Sequence, residues 1–135
     1  MAITTTNAPG LPEVDLYRHV SIATGSKLVF ISGQVAWDEH GAVVGEGDLA
    51  EQIAQCYRNA AKALAAAGAT FDDVAKLTLH VVDWSPEKMP EVVDGITRAA
   101  ESLGTAAKPP ASLFGTTALD VPEHLAELEV TAVLD

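Results

Sequence analysis

The chain has 135 residues and a formal net charge of −11, from 8 basic and 19 acidic side chains. That length suits one domain covering residues 1–135. The charge argues against nucleic acid or an anionic membrane as partner, since both are met through Lys and Arg. The hydrophobic fraction is 48% with 5% aromatics, so the expected core is mostly Ala, Val and Leu.

Residues 1–16 hold Thr, Pro and Gly without periodicity and predict an irregular N-terminal arm. The opening MAITTTNAPG has no basic stretch followed by an apolar run, and no apolar run approaches the ~20 residues that span a bilayer. A cytoplasmic location is expected. Tyr17 to Ala23 alternates and predicts a strand. Thr24-Gly25-Ser26 is a turn signal, after which Lys27 to Ser32 predicts a second strand, the hairpin partner of the first. Its unbroken Leu28-Val29-Phe30-Ile31 suggests burial on both faces. The segment from Asp38 to Gly47 reads as a loop, with room for a short strand at Ala42–Val44.

Asp48 can cap a helix, with Glu51 at the capping-box position. Leu49, Ile53, Cys56, Ala60, Leu64 and Ala67 give that helix one apolar face, and Gly68 stops it. The single cysteine, Cys56, lies on this face, so a buried structural thiol is expected. Val74 to Val82 alternates as a strand, with Lys76, Thr78 and His80 on its polar side. Ser85-Pro86 opens a second helix that runs to Leu103 and ends at Gly104. Ala111–Thr117 predicts a weaker strand, and Leu125 to Leu134 a final one with Glu127 and Glu129 on one face. Hairpins at both ends and helices between them give an α+β sandwich, with two helices on one sheet face. The half-polar opposite face is left to solvent or to another subunit.

Few constellations could support chemistry. His19, His40, His80 and His124 are scattered without ligand spacing, so no metal is expected. There is no nucleophile elbow, and Gly41, Gly45 and Gly47 match no nucleotide-binding fingerprint. Two carboxylates, Glu127 and Glu129, remain. They are either a wet sheet face, or one of them orients a water or exchanges protons in a cleft.

Several ordered stretches resemble the reactive intermediate deaminase family (Rid, YjgF-like, also labelled endoribonuclease L-PSP). They are Tyr17; Ile31-Ser32-Gly33-Gln34-Val35; the Asp48-capped helix with Gln52 and Asn59; Ala67-Gly68-Ala69; Val74-Ala75-Lys76; Pro110-Ala111-Ser112; Ala118-Leu119; and Glu127-Leu128-Glu129-Val130-Thr131-Ala132-Val133. The resemblance implies a chorismate-mutase-like α+β subunit with a mixed sheet. It also implies a homotrimer whose sheets form a central barrel, with small-molecule clefts between subunits. It implies cofactor-free hydrolysis of enamines and imines to ammonia and a 2-keto acid. Glu127 would orient the water, Tyr17 would line the cleft, and Ser32 and Gly33 would approach the ligand.

One departure bears on substrate. The family's carboxylate-binding arginine falls at Ala111, or at Ser112 one step on, and its cysteine two residues later is Leu113. Ala111, Ser112 and Leu113 therefore form an uncharged wall, which implies an altered substrate preference, with Arg98 a possible substitute. Two other readings stand beside the deaminase-like hydrolase: a non-catalytic trimer that binds a small ligand or a partner, and a hydrolase of another electrophile such as a lactone.

Overall fold

A computed structural model describes residues 2–135; Met1 lies outside the described residues. Eight regular elements follow one another: β1 (Ile3–Thr6), β2 (Val20–Ala23), β3 (Lys27–Val35), α1 (Leu49–Ala66), β4 (Val74–Val82), α2 (Met89–Leu103), β5 (Ala111–Thr116) and β6 (Ala126–Leu134). The main sheet has the order β3-β6-β4-β5, and β1 and β2 form a separate two-stranded ribbon. Both helices cover one face of the main sheet. Ile53, Cys56, Ala60 and Leu64 of α1 and Val92 of α2 share a core with Leu77, Leu79, Val81, Leu128 and Val130. The architecture is the expected α+β fold: one mixed sheet with two helices on one side.

The helices form for the reasons legible in the sequence. The Asp48 side chain accepts a hydrogen bond from the Glu51 amide at 3.1 Å. Glu51 does not complete a capping box, because its carboxylate is drawn to Arg58 at 3.1 Å and Arg98 at 3.4 Å. Gly104 ends α2 at φ 65°. The first turn after Ser85-Pro86 is 3₁₀, and α2 proper begins at Met89. Inside α2, Gly95 lets the helices meet closely: a Cβ there would lie 2.6 Å from the Ala50 carbonyl oxygen and 2.8 Å from Ile53 Cβ.

The strand pairing departs from expectation at both ends. The arm at 1–16 is not wholly irregular, because Ile3–Thr6 pairs antiparallel with β2. The first expected strand is shorter. Val20–Ala23 is extended, whereas the chain before it is tied down piecemeal, with the His19 amide bonded to Asn7 and the Arg18 amide to Lys108. The β2–β3 hairpin is absent: β2 pairs with β1 instead, and β3 pairs on one side with β6, from Lys27↔Leu134 to Val35↔Glu127. β5 and β6 are not a hairpin either. The α2 crossover returns the chain in the same direction, so β5 runs parallel to β4 while β6 lies antiparallel on its other side. The Ala42–Val44 strand reduces to a single bridge between Trp37 and Val43.

Nor is β3 buried on both faces. Val29 and Ile31 pack toward the helices, but Leu28 is 66% exposed and Phe30 73%. The cause is position: β3 is an edge strand and, in one chain, nothing covers its outer side.

Two buried amides hold the loops to α1. Gln52 donates to the carbonyls of Gly45 and Glu123 and accepts from the Leu125 amide. Asn59 donates to the carbonyls of Val35 and Trp37, both at 2.9 Å. Burying such groups is tolerated because their hydrogen bonds are made. These contacts fix both ends of the segment leading out of β3 and the entry to β6, the two strands that frame the site.

Candidate functional site

The strand β3 does not stop at Ser32. It continues to Val35 through a bulge: Ser32 and Gly33 lie between the pairs Ile31↔Val130 and Gln34↔Leu128, where β6 supplies only Glu129. Such an insertion re-aims side chains and opens a ladder locally. Gln34 stabilises the bulge by donating to the Ser32 carbonyl at 3.0 Å. Gly33 leaves room where Glu127 needs it, since a Cβ at this position would fall 1.7 Å from Glu127 Oε2. The Glu127 carboxylate therefore rests on bare backbone, half-buried on the outer sheet face.

The neighbouring positions on that face come from β4 and β5. Glu127 pairs with His80, and His80 with Phe114; Glu129 pairs with Thr78, and Thr78 with Ser112. His80 Nε2 lies 3.0 Å from Glu129 Oε1 and its ring stacks on Phe114 at 6.1 Å. This gives one of the two like-charged carboxylates, Glu129, a partner, whereas among the described residues the Glu127 side chain has no hydrogen-bond partner. Lys76 Nζ donates to Ser112 Oγ at 2.6 Å. A cation thus stands beside the uncharged Pro110-Ala111-Ser112 stretch. Sequence reasoning missed it because Lys76 comes from the adjacent strand; only the β4–β5 register reveals it.

Arg98 does not take that place. It is bound to Asp94 at 2.7 Å and to Glu51, and the hydrogen bond it donates to the Asp94 carboxylate raises its pKa further. Of the other histidines, His19 is fixed by the Ala8 amide and the Pro12 carbonyl. His124 is buried, 2.6 Å from Asp120, and that hydrogen bond holds the Asp120 carboxyl below its ordinary range. No group of three or more His, Cys, Asp or Glu among the described residues is placed to hold a metal. Cys56 is buried with its thiol pushed up to about 12 by desolvation, then by the nearby Glu127 charge, as befits a structural residue.

The expected site residues fall into two groups. Ser32, Gly33 and Glu127 meet on the outer face, with the Ser112 side chain further along it. Tyr17, Ala111 and Leu113 instead line a cavity that also touches Leu77, Leu79 and Val92 on the helix side of the sheet.

A family model described as endoribonuclease L-PSP matches residues 11–134. The chain belongs to the endoribonuclease L-PSP family, the Rid/YjgF proteins. Among solved structures it is similar to the Rid-family protein YyfB of Yersinia pestis, described as of unknown function. The two are 33% identical, with 99% of this chain and 100% of that one covered and a TM-score of 0.89. An L-PSP protein of Entamoeba histolytica is 31% identical over 98% of this chain and 99% of its own, with a TM-score of 0.66. TdcF of E. coli, solved with bound serine, shares the fold at 21% identity and a TM-score of 0.68, over 97% of this chain and 92% of that one. No curated protein matches the chain.

Proposed function

We propose that this Rid-family protein is a cofactor-free hydrolase of small imines or enamines, working from the outer sheet face. The observation that carries this reading is the Glu127 carboxylate seated on the Gly33 backbone at the β3 bulge. A carboxylate there can hold a water and take its proton as the oxygen attacks an imine carbon. That proton passes to nitrogen to give a carbinolamine; the carboxylate then takes the carbinolamine's hydroxyl proton and hands it to the amine, so the C–N bond breaks and ammonia leaves as the carbonyl forms. Proton exchange at a single positioned group suffices, so no metal or organic cofactor is invoked. RNA is a poor substrate on this reading, because the net charge of −11 repels phosphate. The test is ammonia release from 2-iminopropionate generated by an amino-acid oxidase. No rate above the uncatalysed one, with this imine or with neutral imines, overturns the proposal.

Lys76 bears on substrate choice. An ammonium at Ser112 gives an anionic group somewhere to dock, laterally rather than from the position of the family arginine. Lys76→Met is expected to raise KM for an anionic imine about tenfold, the scale of one exposed charge-assisted hydrogen bond. KM for a neutral imine should stay the same. Steady-state kinetics with the two substrates separates these outcomes.

We further propose assembly through the outer face into the homotrimer implied by the family, with the ligand cleft at the subunit boundary. Leu28, Phe30 and Phe114 expose apolar side chains there, at 66%, 73% and 55%, and an edge strand with such residues invites a partner. Phe30→Asp is expected to convert the assembly to monomer, read by light scattering coupled to size-exclusion chromatography. A wild-type chain that elutes as a monomer at all concentrations sinks this part of the proposal.

A further inference from the structure

A groove of about 390 Å³ lies between β1, the segment before β2, the turn before β4 and the segment that leads into β5. Val74 lines it at the start of β4, whereas His80, which pairs with Glu127, stands near the other end of that strand. The intervening residues span about 20 Å at the rise of a strand. The floor of the groove is apolar, since Ile3, Phe71, Val74 and Pro109 are all buried.

The walls are held by the main chain. The Arg18 amide donates to the Lys108 carbonyl at 3.0 Å. Ser21 Oγ donates to the Ala75 carbonyl at 2.6 Å and pins the β1–β2 ribbon to β4. Ile3 and Thr5 alternate with Thr4 and Thr6 along β1, so both face the groove.

The charge at this place is unlike that of the rest of the chain. Arg18 and Lys108, two of only 8 basic side chains, both line the groove. Neither takes part in an ion pair among the described residues, although 19 acidic side chains are present. The Thr5 hydroxyl supplies a third donor group. Asp72 is the one carboxylate of the lining, and it is exposed, so water and salt screen it. A carboxylate ligand offers two oxygens, whereas a phosphate monoester offers three, one for each donor group. The net charge of −11 repels a polyanion. A single phosphate between two cations instead lies inside the ~10 Å over which their field acts at 0.1 M salt.

We propose that this groove is a second small-molecule site, for a phosphate monoester with a compact apolar body. Arg18, Lys108 and Thr5 hold the phosphate, and the body lies on Ile3, Phe71 and Val74. The site shares no residue with the outer sheet face and does not depend on the hydrolase reading.

Titration of the ¹⁵N-labelled chain with phenyl phosphate, inorganic phosphate and phenol, followed by amide shifts, tests the proposal at about pH 8, above the second phosphate pKa. Phenyl phosphate is expected to shift the amides of Thr5, Arg18, Asp72 and Lys108 saturably, and to bind more tightly than either fragment. Arg18→Gln and Lys108→Gln should each weaken it about threefold to fivefold, the scale of one exposed charge pair, and leave phenol unchanged. Asp72→Asn should tighten it about twofold by removing the opposing charge. The Arg18 contact that holds the wall is made by its amide, so the melting temperature of these variants should stay near that of wild type. If Arg18→Gln is unfolded, Lys108→Gln, at an exposed position, decides alone. The proposal is overturned by no saturable shift with phenyl phosphate, by shifts centred on Gly33 and Glu127 instead, by affinity unchanged in a folded Lys108→Gln, or by inorganic phosphate binding as tightly as the ester.

Discussion

Replacing Glu127 with glutamine is expected to lower kcat for imine hydrolysis by about 10²- to 10⁴-fold, the range of a positioned acid–base group. KM should change little, because the amide keeps the shape and loses only the capacity to take a proton. Gly33→Ala should act at the same point by a different route. Its Cβ would fall 1.7 Å from Glu127 Oε2, and the carboxylate, as the free end of a side chain, must move aside. Activity should therefore fall while the melting temperature stays near that of wild type. Stopped assays of ammonia release and a thermal melt on each variant check both statements. Full activity in Glu127→Gln would place the proton transfer elsewhere on the outer face.

Gly95→Ala should behave in the opposite way. The added methyl meets the Ala50 carbonyl oxygen at 2.6 Å and Ile53 Cβ at 2.8 Å. A backbone carbonyl within α1 cannot swing away, so the two helices must separate. Alanine gains about 1 kcal/mol of helix propensity over glycine, but overpacking a tight contact costs about 1–3 kcal/mol and sometimes more. Because the atom met is rigid backbone, the clash is expected at the upper end of that range, with a net loss of up to about 2 kcal/mol, or up to about 8 °C in Tm for a domain of this size. Chemical denaturation should show a lower midpoint with an unchanged slope. The Glu127 carboxylate, proposed above to act on the imine, is on the far side of the sheet, so kcat at low temperature should be preserved. A Gly95→Ala protein as stable as wild type would mean that the helices part at little cost.

These two glycines show where the sequence could be read and where it could not. Gly33 follows an apolar strand and precedes a polar residue, so a turn or a close approach was legible there. The bulge that continues β3 to Val35 was not, because it depends on how β6 counts against it. Gly95 gives no local signal at all; its meaning lies in the Ala50 carbonyl, forty-five positions earlier. The helices, β4 and β6 were legible from periodicity, since each has one face on the core. The pairing of β2 and the exposure of Phe30 were not, because apolar residues on an uncovered edge read like residues in a core. Lys76 looked like an ordinary solvated residue of β4. Its contact with Ser112 exists only because α2 returns the chain in parallel register. Glu127 and Ser32-Gly33 were placed together by resemblance, and the register explains why they touch. Tyr17, Ala111 and Leu113, which the resemblance also assigns to a cleft between subunits, lie across the sheet from them within one chain.

The sheet order also constrains how the molecule can be made. β6 lies between β3 and β4, yet it is the last element in the chain. During synthesis β3 and β4 have no strand to join them, and the exposed edges of both must wait for residues some fifty to a hundred positions downstream. The helices can form early from local contacts, but the sheet closes only when Ala126–Leu134 slots into its centre. Folding is in this sense a single late insertion, and the strand bearing Glu127 is the piece that completes it.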